Sequence, residues 1–257
     1  MSFENTPNKT MKYNFAIKAK NIVLKKDKSP LLFEDLKKLS VLRKIDFFSE
    51  TIFSLTCLEL EENQELSNEY IEIPLRDFFS IASKEESSAA ARARTLSKWK
   101  NSMNFCPKCG CRLLFCKEFS AKECPNCSLQ YFPRIEPAVI VLISKGDKIL
   151  LARHAQRDQS VYTCLAGFIE AGETAEQAVV REVFEETGLK IKNLQYKGSQ
   201  GWPYPDQLML AYTADYDSGE LSIQKEEISD AAWFLRTQLP QIPKPGSVAF
   251  RLINNLF

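Results

Sequence analysis

The sequence predicts an α/β chain. Three features carry that expectation: an apolar hairpin over residues 138 to 153, a helix bearing carboxylates over about 174 to 187, and short strand-like runs ahead of a cysteine cluster. A chain of 257 residues, 44% of them hydrophobic, can bury a sizeable core in one large domain or two smaller ones. Its 34 basic and 33 acidic residues leave a net charge of +1, so bulk electrostatics gives no general attraction to polyanions, and any nucleic-acid contact is local. No run approaches the length of a membrane span, and the opening MSFENTPNKTMKYNF lacks an apolar signal core. The expectation is a cytoplasmic protein without a membrane partner. In such a reducing compartment, cysteines concentrated between 106 and 127 read as metal ligands rather than disulfides, while Cys57 and Cys164 read as buried small apolar residues.

Residues 11 to about 80 alternate apolar runs, such as 52 to 60 and 70 to 75, with charged segments, which predicts strands with polar turns and no chemical motif. From Lys84 to Lys100 the chain is rich in alanine and long polar side chains and lacks Gly and Pro, which predicts a helix. Its basic residues are expected on a solvated face, with a local nucleic-acid contact as the alternative. AVIVLIS at 138 to 144 and KILLAR at 148 to 153 flank a Lys-Gly-Asp turn, a hairpin that opens a new domain. A strand-like stretch from Leu208 to Tyr216, a Ser-Gly turn at 218 and 219 and a helix-like stretch from Ser247 onward follow.

Cys106-Pro-Lys-Cys109 and Cys124-Pro-Asn-Cys127, fourteen residues apart, supply four thiolates on two tight turns, the spacing of a zinc ribbon. Four sulfur ligands close the shell of a Zn2+ ion and leave no position for substrate, so the expected role is structural. A ribbon that grips nucleic acid is the alternative. Cys111 and Cys116 do not extend the pattern and read as bystanders.

In the stretch from Gly167 to Leu189, a helix beginning near residue 175 places Glu182, Glu185 and Glu186 at i, i+3 and i+4, so the three carboxylates converge on one face. Such like charges destabilise a helix unless a hard cation such as Mg2+ or Mn2+ offsets them. Val180, Val183, Phe184 and Thr187 are expected to anchor the other face to a sheet, and Arg181, four residues before Glu185, to orient that carboxylate. Gly167 and Gly172 suit a tight loop and Gly188 a helix cap.

Residues 167 to 189 resemble the Nudix box at every fixed position: Gly, five residues, Glu, seven residues, Arg-Glu, two residues, Glu-Glu, one residue, Gly and an apolar residue. The resemblance implies an α/β/α sandwich with a mixed sheet, Glu182, Glu185 and Glu186 as catalytic metal ligands, and Glu173 as a brace between loop and helix. Ser199-Gln-Gly-Trp-Pro-Tyr-Pro-Asp-Gln207 looks like the SQPWPFPxS signature of the NADH pyrophosphatase branch, whose members carry a four-cysteine ribbon before the Nudix domain. Gly201, Tyr204 and Gln207 depart from it, and Tyr204 keeps the stacking face. The implied organisation is a variable α+β domain at 1–100, a zinc ribbon at 101–132 and a Nudix catalytic domain at 133–257.

By the same resemblance, Phe132 of a neighbouring subunit and Phe168 sandwich the nicotinamide in a homodimer. Ser199, Gln200, Trp202, Tyr204 and the backbone of Ala249 lie near the substrate, and Glu227 is a further metal ligand. Read from the residues alone, 199 to 209 is a loop beside the metal helix whose aromatics either close over a planar base or pack in the core. The lone His154 reads as structural or peripheral. The implied reaction is metal-dependent hydrolysis of NADH or NAD to the mononucleotide and AMP, with Glu186 as the first choice for the base. Removal of NAD caps from RNA is the near alternative, and a ribbon module with an inactive Nudix domain is the distant one.

Overall fold

A computed structural model describes residues 12–39, 48–50, 55–116, 120–156, 160–204 and 206–257, so the start of the apolar run at Ile52 lies outside the described residues. The chain divides into two compact units, one up to Arg134 and one from Ile135.

The first unit begins with β1 (Tyr13–Lys18), β2 (Asn21–Lys25), α1 (Phe33–Leu39), β3 (Phe48–Glu50), β4 (Leu55–Leu60), β5 (Tyr70–Pro74) and α2 (Leu75–Phe78). The strands form a sheet in the order β3-β4-β1-β2-β5, with β1 and β4 parallel and the other pairs antiparallel. The two short helices, absent from the strand reading of this region, are too brief to show a helical period. Buried Asp35 secures α1 by accepting from the Leu32 N–H at 2.7 Å and the Tyr70 hydroxyl at 3.1 Å.

The helix read from Lys84 is α3 (Lys84–Ser102), started by a capping box in which Ser83 accepts from the Glu86 N–H and Glu86 accepts from the Ser83 N–H. Ala89, Ala90, Ala91 and Ala93 are buried together with Leu96 and Trp99, because small side chains let the helix lie close to β1 and β4. The expected solvated basic face is present in part: Lys84 and Lys98 are exposed, whereas Arg92, Arg94 and Lys100 are half-buried.

Three two-residue strands, β6 (Leu114–Phe115), β7 (Lys122–Glu123) and β8 (Gln130–Tyr131), form an antiparallel ribbon beyond α3. Lys122 is only 2% exposed, and burial, followed by the charges of Lys100 and Arg112, lowers its pKa. Its ammonium donates to the carbonyl of Lys100 at 2.7 Å and to that of Met103, where α3 leaves carbonyls without helical partners. The negative end of the helix and the rings of Trp99 (5.2 Å) and Phe115 (4.9 Å) favour the same charge.

The second unit contains β9 (Glu136–Lys145), β10 (Lys148–His154), β11 (Leu165–Phe168), α4 (Ala175–Thr187), β12 (Lys190–Trp202), β13 (Gln207–Ser218), β14 (Ile228–Leu235) and α5 (Val248–Ile253). Its mixed sheet runs β12-β13-β9-β10-β14, with β11 also paired to β9 and with β13 parallel to β9. The period of two decides the layers. On β9, Val139, Val141 and Ile143 pack in a core with Ala178, Val179 and Val183 of α4, while Ala138, Ile140 and Leu142 pack with Val248, Ala249 and Leu252 of α5. A sheet apolar on both faces and covered by a helix on each is the expected α/β/α sandwich.

Two expectations are corrected. Val183 and Thr187 are fully buried, but Val180 and Phe184 are 51% and 54% exposed. The sheet-facing stripe follows Ala178, Val179, Val183, Glu186 and Thr187, and the other two positions turn away from it by a further step of the helix. Residues 199 to 209 are not a loop: Ser199 to Trp202 end β12, Gln207 begins β13, and Trp202 pairs with Gln207 across a short turn. β12 escapes sequence reading because it is a mostly polar edge strand without an apolar run. Among the described residues, no helix is long and apolar enough to cross a membrane.

Replacing Lys122 by Met keeps the buried stem and removes the donor. In urea unfolding of the first unit, Lys122→Met is expected to cost about 2 kcal/mol, the scale for leaving buried carbonyls unsatisfied. An unchanged midpoint would mean the contact carries no net stability.

Candidate active site

α4 is framed by its termini. Thr174 and Gln177 form a capping box, and Gly188 closes the helix in the left-handed region at φ 69°. Along the helix, the Glu186 residue is 3% exposed, and the side chains of Glu182 and Glu185 are 13% and 51% exposed.

Arg181 organises these groups. Its Nε donates to Glu173 Oε1 at 2.6 Å and one terminal nitrogen to Glu173 Oε2 at 2.9 Å, a bidentate pair. That same nitrogen donates to the Phe168 carbonyl at 2.9 Å, and the other donates to Glu182 and Glu185, each at 2.9 Å. Glu173 also accepts from the Glu170 N–H at 3.0 Å. The Arg181 guanidinium first, and then that N–H, hold the Glu173 carboxyl at a pKa of about 2, and the same pairing raises the pKa of Arg181. Glu173 therefore braces loop to helix, as the resemblance implied.

Glu182 faces the opposite pressure. Burial raises its pKa, Arg181 opposes the rise, and the negative charges of Glu185 and Glu227 add to it. Its carboxyl lies where a Cβ at Gly167 would overlap it, so β11 brings a bare backbone against the helix at the one place where the carboxylate needs room.

Glu227 reaches this region through backbone stitching. The last carbonyls of α4 accept from the next segment: Thr187 from the Ser222 N–H at 2.9 Å, and Glu186 from the Gln224 N–H at 3.1 Å. A turn follows in which the Glu227 and Ile228 N–H groups donate to the Gln224 carbonyl, and the Glu227 carbonyl accepts from Ala155 at 2.7 Å. Because these bonds use main-chain atoms, no side-chain pattern in the sequence announces them.

The expected convergence of carboxylates is only partly present. Among the described residues, the four cysteines are the one group of three or more His, Cys, Asp or Glu side chains with ligand atoms within 4.8 Å of one another, and Glu182 and Glu185 meet instead on one nitrogen of Arg181. The donor set still fits a hard divalent cation: all four candidates offer carboxylate oxygen, and the like charge crowding half-buried Glu182 is what a cation relieves.

The remaining predicted residues lie on β11 and β12, at the turn after β12, on α5 and, for Phe132, after β8 in the first unit. Phe168 ends β11, paired with Ala138 and exposed, and Ser199 is exposed in β12 opposite Leu210. Gln200 donates through Nε2 to the Gly246 carbonyl at 2.8 Å, and its buried Oε1 has no hydrogen-bond partner among the described residues. Trp202 and Tyr204 meet edge-to-face with ring centres 5.9 Å apart, and Ala249 is buried in α5. Phe132, in the first unit just after β8, is exposed. His154 ends β10, with Nδ1 accepting from the Gln156 N–H at 3.2 Å.

In the ribbon the two cysteine turns share one pattern. Cys106 and Cys124 each donate their N–H to the carbonyl five residues on and accept from the N–H four residues on, with Gly110 and Ser128 both at positive φ. The sulfurs of Cys106 and Cys127 are 3.6 Å apart, those of Cys109 and Cys124 3.4 Å, and those of Cys109 and Cys127 3.9 Å. A tetrahedron with metal–sulfur bonds of ~2.3 Å has edges of ~3.8 Å, so the four thiols fit such an ion. Burial opposes ionisation of Cys106, yet the Tyr131 hydroxyl and the N–H groups of Cys109 and Lys108 bring its pKa down to about 6. Cys111 and Cys116 stand outside the four-cysteine group, and burial pushes Cys57 and Cys164 up to about 12.

A sandwich whose helix presents this arginine-braced carboxylate row against a glycine defines a Nudix-type pyrophosphohydrolase. The NUDIX domain family matches residues 134–254, and the chain belongs to that family. It is 43% identical to the NAD-capped RNA hydrolase NudC of Pseudomonas aeruginosa over 197 residues, which cover 77% of this chain and 70% of the relative. It is 44% identical to the protein of the same name from Chromobacterium violaceum over 183 residues, 71% of this chain and 69% of the relative. The crystal structure of a NUDIX hydrolase from Nitrosomonas europaea aligns with a TM-score of 0.46 at 21% identity, over 55% of this chain and 84% of that one.

Gly167→Ala forces the Glu182 carboxyl aside. Pyrophosphohydrolase activity is expected to fall about a hundredfold, the cost of a misplacement of roughly 1 Å, while circular dichroism stays native. Native activity in this variant would show that Glu182 needs no space there.

Proposed function

We propose that the chain hydrolyses the diphosphate of an NAD moiety, releasing nicotinamide mononucleotide, reduced when the substrate is NADH, and leaving a 5'-monophosphate as AMP. The observation that carries this reading is the carboxylate row of α4, held by Arg181 and backed by Glu227 from the stitched turn. The names of the relatives point to the NAD moiety and favour a second form of the same cleavage, at the 5' end of NAD-capped RNA.

In this reading Glu182, Glu185, Glu186 and Glu227 hold divalent ions, Mg2+ or Mn2+. When bound, these supply positive charge to the phosphates and lower the pKa of an attacking water. Glu186, the most buried of the three on α4, is our choice for the base that takes the proton from that water. Arg181 holds Glu182 and Glu185 in place through its hydrogen bonds to both.

Phe168 offers a ring at the end of β11 for the nicotinamide, and Trp202 and Tyr204 offer faces at the β12 turn. Ser199, the unpartnered Oε1 of Gln200 and the backbone at Ala249 serve polar groups of the substrate. The ribbon holds Zn2+ as a structural ion through Cys106, Cys109, Cys124 and Cys127. The reading includes a cytoplasmic homodimer in which Phe132 serves the site of the neighbouring subunit.

The test is product analysis with NADH and with NAD-capped RNA, in Mg2+ and in Mn2+, beside Glu186→Gln. The native protein is expected to release the mononucleotide from at least one substrate, with turnover in Glu186→Gln lowered at least about a hundredfold. No release from either substrate with either metal would reject the NAD assignment.

A further inference from the structure

Along β12, Gly198, Gln200 and Trp202 alternate with their neighbours and share one face of the strand. That face meets the segment carrying α5 at three points. Gln200 donates to the Gly246 carbonyl just before the helix, and Trp202 packs on the core containing Val248 and Ala249. At Gly198, a Cβ would lie 2.9 and 3.1 Å from two ring carbons of Phe257, so the absent side chain is the notch that receives this ring.

The path of the chain to that notch is built locally. After α5, Asn255 adopts φ 54°, its N–H donates to the Leu252 carbonyl at 3.2 Å, and the Leu256 N–H reaches back to the Arg251 carbonyl at 2.9 Å. These are the two bonds of a Schellman motif, which ends the helix and turns the chain sharply. The turn delivers Phe257 to the strand, with the Arg251 guanidinium 3.9 Å from the ring centre. α5 is therefore tied to β12 before its first turn by Gln200 and after its last by Phe257.

We propose that Phe257 is a positioning residue for substrate binding: seated over Gly198, it fixes α5 and the backbone at Ala249 against the β12 edge that carries Ser199 and Gln200. This rests on the reading of those residues as facing an NAD moiety, and it adds what holds the two elements in register. Phe257 follows α5, which packs on the face of the sheet opposite to α4 and its carboxylate row, so its loss acts on affinity for the dinucleotide and not on the chemical step.

The test is a double-mutant cycle on KM and kcat for the NAD substrate that the native protein turns over, using Gly198→Ala, Phe257→Ala and the pair, with Phe257→Tyr as the conservative variant. Each single alanine variant is expected to raise KM about tenfold with kcat within about twofold of native, and Phe257→Tyr to stay near native. The pair is expected to be no worse than either single variant, because the added methyl group no longer meets a ring. Unchanged KM in Phe257→Ala, multiplying effects in the pair, or a loss confined to kcat would overturn the proposal. A native protein that cleaves no NAD substrate would instead remove the functional reading, and this inference with it.

Discussion

The guanidinium of Arg181 is the point on which the site depends. Five hydrogen bonds leave it, reaching a loop carboxylate, a strand carbonyl and two carboxylates of its own helix. A helix with Glu182, Glu185 and Glu186 at i, i+3 and i+4 works against its own charge. The fixed cation beside them offsets part of that repulsion and leaves the remainder for mobile cations. Because Arg181 also grips the Phe168 carbonyl, the spacing between helix and strand and the placement of the carboxylates are set by one side chain.

The sandwich gives this arrangement rigid supports. β9 feeds both cores by strict alternation, so α4 and α5 are held against opposite faces of the same strand. Elements around the carboxylate row are then fixed by close approach: Gly167 admits the Glu182 carboxyl, and Gly188 ends the helix where its carbonyls are taken up by the 222–224 backbone. In the first unit the ribbon is fastened to α3 through Lys122, a buried charge satisfied by helix-end carbonyls and aromatic faces.

Side chains that repeat with a period were legible in the sequence. The 138 to 153 hairpin, α4 with its glycine cap and the paired cysteines all show spacing that chemistry requires, and all stand in the structure. What escaped has its own physical reason. Edge strand β12 is mostly polar, α1 and α2 are shorter than a readable period, and the stitch from Glu186 to Gln224 uses peptide groups that every residue carries. Val180 and Phe184 were misplaced because apolar character was equated with burial, whereas the sheet selects the stripe through Val179, Val183 and Thr187.

If the Arg181 brace prepares the glutamates for a divalent cation, its loss weakens metal binding while every carboxylate remains. Titration of Mn2+ followed by electron paramagnetic resonance tests it without turnover, comparing native protein with Arg181→Met, in which all four glutamates remain. Mn2+ is expected to bind the native protein and to bind the variant about ten- to a hundredfold more weakly, as for other partners that orient metal ligands. Equal affinity in the two proteins would contradict it and leave the arginine a role in folding alone.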